Sequence, residues 1–191
     1  MTQKNRSFDP SLSGWNIQAL DLWKFARAGA QANGELSLTL LPRLLQAVLP
    51  LPENIPAFRW TAAGEMRTES APAGDTVHAP YLKLTLSGAL QLECQRCLAP
   101  YLHSLSIQML YRIVETEQQA DAAPLDNDQI EIIVGTRAFD LLDLMDQELY
   151  LALPSAPKHP VCPALPDALR ISRLPHRSPF AMLAALKQHD R

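Results

Sequence analysis

Four side chains in this sequence have the chemistry of metal ligands: Cys94, Cys97, His159 and Cys162. Cys94-Gln95-Arg96-Cys97 sets two thiols at the spacing with which one turn can offer two thiolates to a single ion. His159-Pro160-Val161-Cys162 repeats that spacing with a histidine in front, and Cys162 stands 68 residues after Cys94. Together they supply three sulfurs and one nitrogen, a donor set that closes a four-ligand structural zinc site. Two other readings of the same residues stay open. Cys-x-x-Cys also serves thiol exchange, although redox pairs usually open a helix whose dipole depresses the thiol pKa, and this pair follows an alternating run. The thiols also suit plain turn residues that hold no metal.

Basic side chains form the second set. Arg96 is carried between the two cysteines. Arg59, Arg67, Lys83 and Arg112 fall on the polar phase of alternating runs, and Arg170, Arg173, His176 and Arg177 lie in the C-terminal segment. Arginines contact phosphates, and Tyr101 or Tyr81 would stack on an unpaired base. Arg96, Tyr101, Arg112, Arg170, Arg173 and Arg177 are therefore the candidate contacts to RNA or to a protein partner. The competing reading is solvated faces, and a net charge of −3 is low for a stand-alone RNA binder. Glu115, Glu117, Asp121, Asp126, Asp128 and Glu131 make an acidic stretch that suits a basic protein or plain solvation. No Gly-x-Ser-x-Gly, His-Glu-x-x-His or phosphate-cradling glycine loop occurs, and the five histidines are dispersed. No catalytic residue is nominated and no small-molecule substrate is expected.

These groups need elements to position them, and the middle of the chain is the clearest. Phe58, Trp60, Ala62 and Met66 alternate with polar residues and predict a strand. Leu82, Leu84, Leu86, Leu90 and Leu92 alternate with Lys83, Thr85, Ser87, Gln91 and Glu93, with Gly88 suggesting a bulge or bend. Tyr101, Leu105, Ile107, Met109, Tyr111 and Ile113 continue the period beyond the cysteines. The two long runs predict an antiparallel hairpin with Cys94 and Cys97 at its tip. A one-residue slip would expose a whole leucine face, so its register is well specified. Strands are also expected over 35–40 and 131–134. Helices are expected from an Asn16 cap to about Ala28, with Gly29 ending it, and over 43–49 behind Pro42. Asp140 caps a further helix through about Leu151, with Leu141, Met145, Leu149 and Ala152 inward. Its aspartates, Asp140, Asp143 and Asp146, read as helix-start carboxylates rather than metal ligands. Residues 154–179 hold seven prolines and predict an extended strap, followed by a short helix over 179–187.

A chain of 191 residues can bury a core without disulfides. The expected class is α+β: an antiparallel, partly barrel-like sheet with a Cys-x-x-Cys hairpin and short peripheral helices. Residues 1–153 form the domain, and 154–191 the strap and helix packed on it or on a partner. Three cysteines are too few for a disulfide scaffold and fit a reducing cytoplasm. No apolar run is long enough for a membrane span, and the polar N-terminus leads into no signal-like apolar stretch. Charge is uneven: residues 1–114 sum to +2, 115–148 to −9 and 149–191 to +4. Such a bipolar chain is no uniform anion binder.

Leu92-Glu93-Cys94-Gln95-Arg96-Cys97-Leu98, the helix running from Asp143 to Glu148-Leu149-Tyr150-Leu151-Ala152-Leu153-Pro154, then Cys162, and Pro179-Phe180-Ala181-Met182-Leu183-Ala184-Ala185-Leu186-Lys187 appear in this order. In order and spacing they resemble the YceD family, the large ribosomal RNA subunit accumulation proteins of bacteria, with relatives in plastids. The resemblance runs from about residue 80 onward. It implies a non-enzymatic role in synthesis, processing or stability of 23S rRNA, with rRNA or a ribosome-assembly protein as partner. Some members carry more cysteines after the second half-site. Here Cys162 is followed by Pro163 and Ala164, so His159 must complete the set. The alternative functions are a metal-binding interaction module unconnected to ribosomes and an RNA-processing enzyme.

Overall fold

The structure is a computed structural model, and it describes residues 14–50, 58–70, 76–123 and 130–163. Among the described residues, five strands form one sheet in the order β1-β2-β3-β4-β5: β1 (Gln31–Leu36), β2 (Phe58–Ser70), β3 (Thr76–Glu93), β4 (Pro100–Val114) and β5 (Ile130–Val134). The alternation fixes the central register, with Leu82 opposite Tyr111, Leu84 opposite Met109 and Leu86 opposite Ile107. One face is dry. Trp60, Ala62, Leu82, Leu84, Leu86, Leu90, Tyr111 and Ile113 are buried in it, with Ile107 and Met109 packed at its margin. The other phase, including Arg59, Thr61, Lys83, Ser87, Ser106 and Gln108, is exposed.

The sheet is open, so the barrel-like expectation is corrected: β1 and β5 stand at opposite edges and do not pair. Nor is the sheet wholly antiparallel. β5 runs parallel to β4, Leu110 opposite Ile130 through Val114 opposite Val134. Parallel pairing needs a crossover, and the acidic stretch supplies it, with a short helix α3 (Glu117–Asp121) capped by Thr116. Three local expectations also shift. The first strand is Gln31–Leu36, and 38–40 is a 3-10 turn capped by Ser37. Gly88 marks no bulge. The ladder runs through it without interruption, and it is glycine because a Cβ there would lie 2.4 Å from the Phe58 ring. The third shift concerns the first helix.

Helices cover the dry face. That first helix, α1 (Leu22–Arg27), is capped by Asp21, whose carboxylate accepts from the Lys24 N–H, rather than by Asn16. Asn16 caps only a local turn at Gln18. Gly29 ends the helix as expected, at φ 56°. α2 (Pro42–Ala47) begins with its proline in the first turn. In α4 (Leu141–Leu151) Asp140 accepts from the Asp143 N–H, and Leu141, Met145 and Leu149 face the core, while Ala152 is exposed. Asp146 serves a different helix from the one expected. It is buried, and its two oxygens accept from the Arg43 and Leu44 N–H groups at 3.0 and 3.1 Å. A carboxylate of α4 thus satisfies the unpaired donors at the start of α2. Among the described residues, no helix is long and apolar enough to cross a membrane.

Candidate metal centre

The long hairpin ends in a tight turn. The Cys94 N–H donates to the Ala99 carbonyl at 3.0 Å, and the Leu98 N–H donates to the Cys94 carbonyl at 2.8 Å. Leu98 takes φ 59°, a left-handed conformation disfavoured for a branched side chain. Its side chain is exposed, so nothing is packed at the strained position. The chain leaving α4 then crosses this tip. The Gln95 N–H donates to the Pro157 carbonyl at 2.9 Å, and the His159 N–H donates to Cys94 Sγ at 3.4 Å. These two bonds deliver the second half-site to the first.

The four expected ligand atoms converge, all within 4.8 Å of one another. Cys94 Sγ lies 3.7 Å from Cys162 Sγ, and Cys97 Sγ lies 3.3 Å from His159 Nδ1. Tetrahedral bonds of about 2.3 Å to sulfur and about 2.0 Å to nitrogen would set such pairs about 3.8 and about 3.5 Å apart. A disulfide needs about 2.05 Å, and the three cysteines are free. The donor set and spacing therefore fit one tetrahedral ion.

The electrostatics of the two hairpin thiols differ. Burial pushes the Cys94 thiol up, but N–H groups of His159, Cys97 and Arg96, with the His159 side chain, outweigh it and hold it down at about 5. Burial raises Cys97, helped by the neighbouring sulfurs of Cys94 and Cys162 and opposed by the Ala99 N–H. Arg96 folds back on the cluster, its Nε and Nη2 each 3.2 Å from Cys162 Sγ. The Tyr101 ring sits 5.0 Å from the His159 ring, tilted by 43°. Sequence reasoning placed Arg96 and Tyr101 as outward contacts. Their position as neighbours of Cys162 and His159 is legible only once the second half-site is known to return to the tip.

Arg112 is brought to a separate place, on the outer face of the sheet. It forms a two-pronged pair with Glu69, Nε to Oε1 at 2.9 Å and Nη2 to Oε2 at 2.7 Å. Tyr81 donates to the same carboxylate, and Arg67 lies over the Tyr81 ring at 5.0 Å. Burial first, then Glu69, pushes the Tyr81 hydroxyl up to about 12. Arg170, Arg173 and Arg177 lie outside the described residues, as does the expected 179–187 helix.

Fold and site together define an open-sheet α+β protein with a candidate centre of three cysteines and one histidine where the segment after α4 crosses the β3–β4 hairpin tip. The family profile described as "Large ribosomal RNA subunit accumulation protein YceD" matches residues 82–187, which hold all four cluster residues. A relative from Haemophilus influenzae bearing that name is 35% identical over 124 residues, covering 57% of this chain and 68% of the relative. No solved structure matches at a significant level. The chain belongs to the YceD family.

Proposed function

We propose that this protein is a non-enzymatic cytoplasmic factor that supports accumulation of 23S rRNA, by contact with rRNA or with a ribosome-assembly protein. Membership of the YceD family carries this reading. Its centre holds one structural zinc through Cys94, Cys97, His159 and Cys162, and the convergence of those four atoms supports this. A bound zinc would supply cross-linking here: the three thiolates and the His159 imidazole would hold it, their mutual repulsion would be neutralised, and residues 157–162 would be pinned to the hairpin tip.

Depleting the protein in its host should lower 23S relative to 16S rRNA, and an unchanged ratio would overturn the role. Purified protein should leave 23S precursor RNA uncut with or without added zinc. Zinc-dependent cleavage would replace the non-enzymatic reading with a processing enzyme.

A further inference from the structure

The sequence offers Arg96 and Arg112 as RNA contacts, yet each has a partner inside the protein, Cys162 for the first and Glu69 for the second. Other cations gather elsewhere. Lys24, Arg27 and Arg137 line one cleft of about 830 Å³ between α1 and the turn that follows β5, together with Trp23, Thr136, Asp21 and Glu115. Among the described residues, none of the three cations makes an ion pair.

The walls are firmly built. The Gly135 N–H donates to the Val114 carbonyl at 2.8 Å, and the Leu22 N–H donates to the Thr136 carbonyl at 3.2 Å. Leu20 and Phe139 exchange a pair of backbone bonds beside them, at 2.8 and 2.9 Å. A Cβ at residue 135 would lie 2.6 Å from the Trp23 ring, so the glycine lets the indole approach the turn closely. Asp21 is occupied in part by the Lys24 N–H at 3.0 Å. The Lys24 ammonium stands 5.8 Å from the Trp15 ring, and Arg27 and Arg137 are the cleft's two guanidiniums, neither in an ion pair among the described residues.

Resting on the reading that the protein contacts rRNA, we propose that this cleft is its RNA site and takes single-stranded RNA, phosphates on Arg27 and Arg137 and a base against Trp23. An indole beside two guanidiniums suits a single strand, whose bases stack while its phosphates meet cations. The volume falls in the range of clefts that take small-molecule-sized groups. An acidic peptide would use the cations and leave the indole without a role. Glu115 opposes any anion there and sets the sign of a control.

The test is fluorescence anisotropy of the full chain with a labelled single-stranded rRNA fragment over a salt series. The double variant Arg27→Ala/Arg137→Ala should bind at least tenfold more weakly. Its dependence of log K on log salt should be shallower by about 1.4, at about 0.7 per lost phosphate contact. Glu115→Gln should tighten binding. RNA should quench tryptophan fluorescence in the wild type and less in Trp23→Phe, which keeps an aromatic ring against Gly135. Equal affinity and slope in wild type and double variant would overturn the cleft while direct RNA contact stands. A wild type that binds no RNA would overturn both. A polyglutamate peptide that binds the cleft as tightly as the RNA would overturn the RNA assignment in favour of an acidic partner.

Discussion

The two ends of the β3–β4 hairpin are held by different forces. At the root, Leu82, Leu84 and Tyr111 are buried, roofed by α1 and α4 with Phe25, Met145 and Leu149 in the same core. Burial of apolar surface stabilises that end, and it needs no ion. At the tip, only Cys94 among residues 94–99 and 157–162 is buried. A few hydrogen bonds hold three sulfurs and a histidine together, and the sulfurs repel one another when ionised. The Arg96 guanidinium faces all three sulfurs, Cys162 most closely and then Cys94 and Cys97, and one cation does not balance the set. Packing sets geometry at the root, whereas at the tip charge must be balanced for the geometry to persist.

The largest effect should come from breaking the root. Leu84→Ala removes a fully buried side chain and should cost about 2–5 kcal/mol, read from urea unfolding, by the same amount with and without chelator. The tip should behave in the opposite way. Cys97→Ser should lose the whole zinc equivalent, and residues 154–163 should become open to protease, while the near-UV signal of the core is kept. Loss of the core signal would erase the distinction between the two ends.

Smaller changes sharpen it. Asp140→Ala removes the cap of α4, the helix that roofs the root and hands the chain to the tip. It should cost about 1 kcal/mol in thermal unfolding. The smallest effect concerns Glu148, buried against Tyr111. Burial is the main cause that holds its carboxyl above the ordinary range, with Glu131 adding to it and Tyr111 opposing. The folded state therefore binds this proton more tightly than the unfolded chain. The favourable contribution is complete below the unfolded value, about 4.3, and is lost as pH rises through the folded one. Glu148→Gln should be slightly more stable than the wild type at pH 7, and the gain should vanish below about pH 4.

The root was legible because a period of two over Leu82–Leu92 and Leu105–Ile113 admits one register. The tip's four ligands were legible from residue type and spacing, because metal chemistry restricts both. The open, mixed sheet was not legible. β5 is five residues long, and a short apolar run reads alike in parallel and antiparallel pairing. The role of Asp146 is hidden for a related reason. Its position near a helix start points to its own helix, while its partners, the Arg43 and Leu44 N–H groups, lie 103 and 102 residues away. The partners of Arg96 and Arg112 are not legible in the sequence, which does not show that Cys162 and Glu69 come to meet them.

Native mass spectrometry of the freshly purified full chain tests the central claim most directly. One zinc per chain is expected. It should be absent from Cys94→Ser and Cys162→Ala, and its removal by chelator should lower the melting temperature. A metal-free mass after purification in zinc-containing buffer, with a melting temperature unmoved by chelator, would contradict it and leave the four residues as turn chemistry.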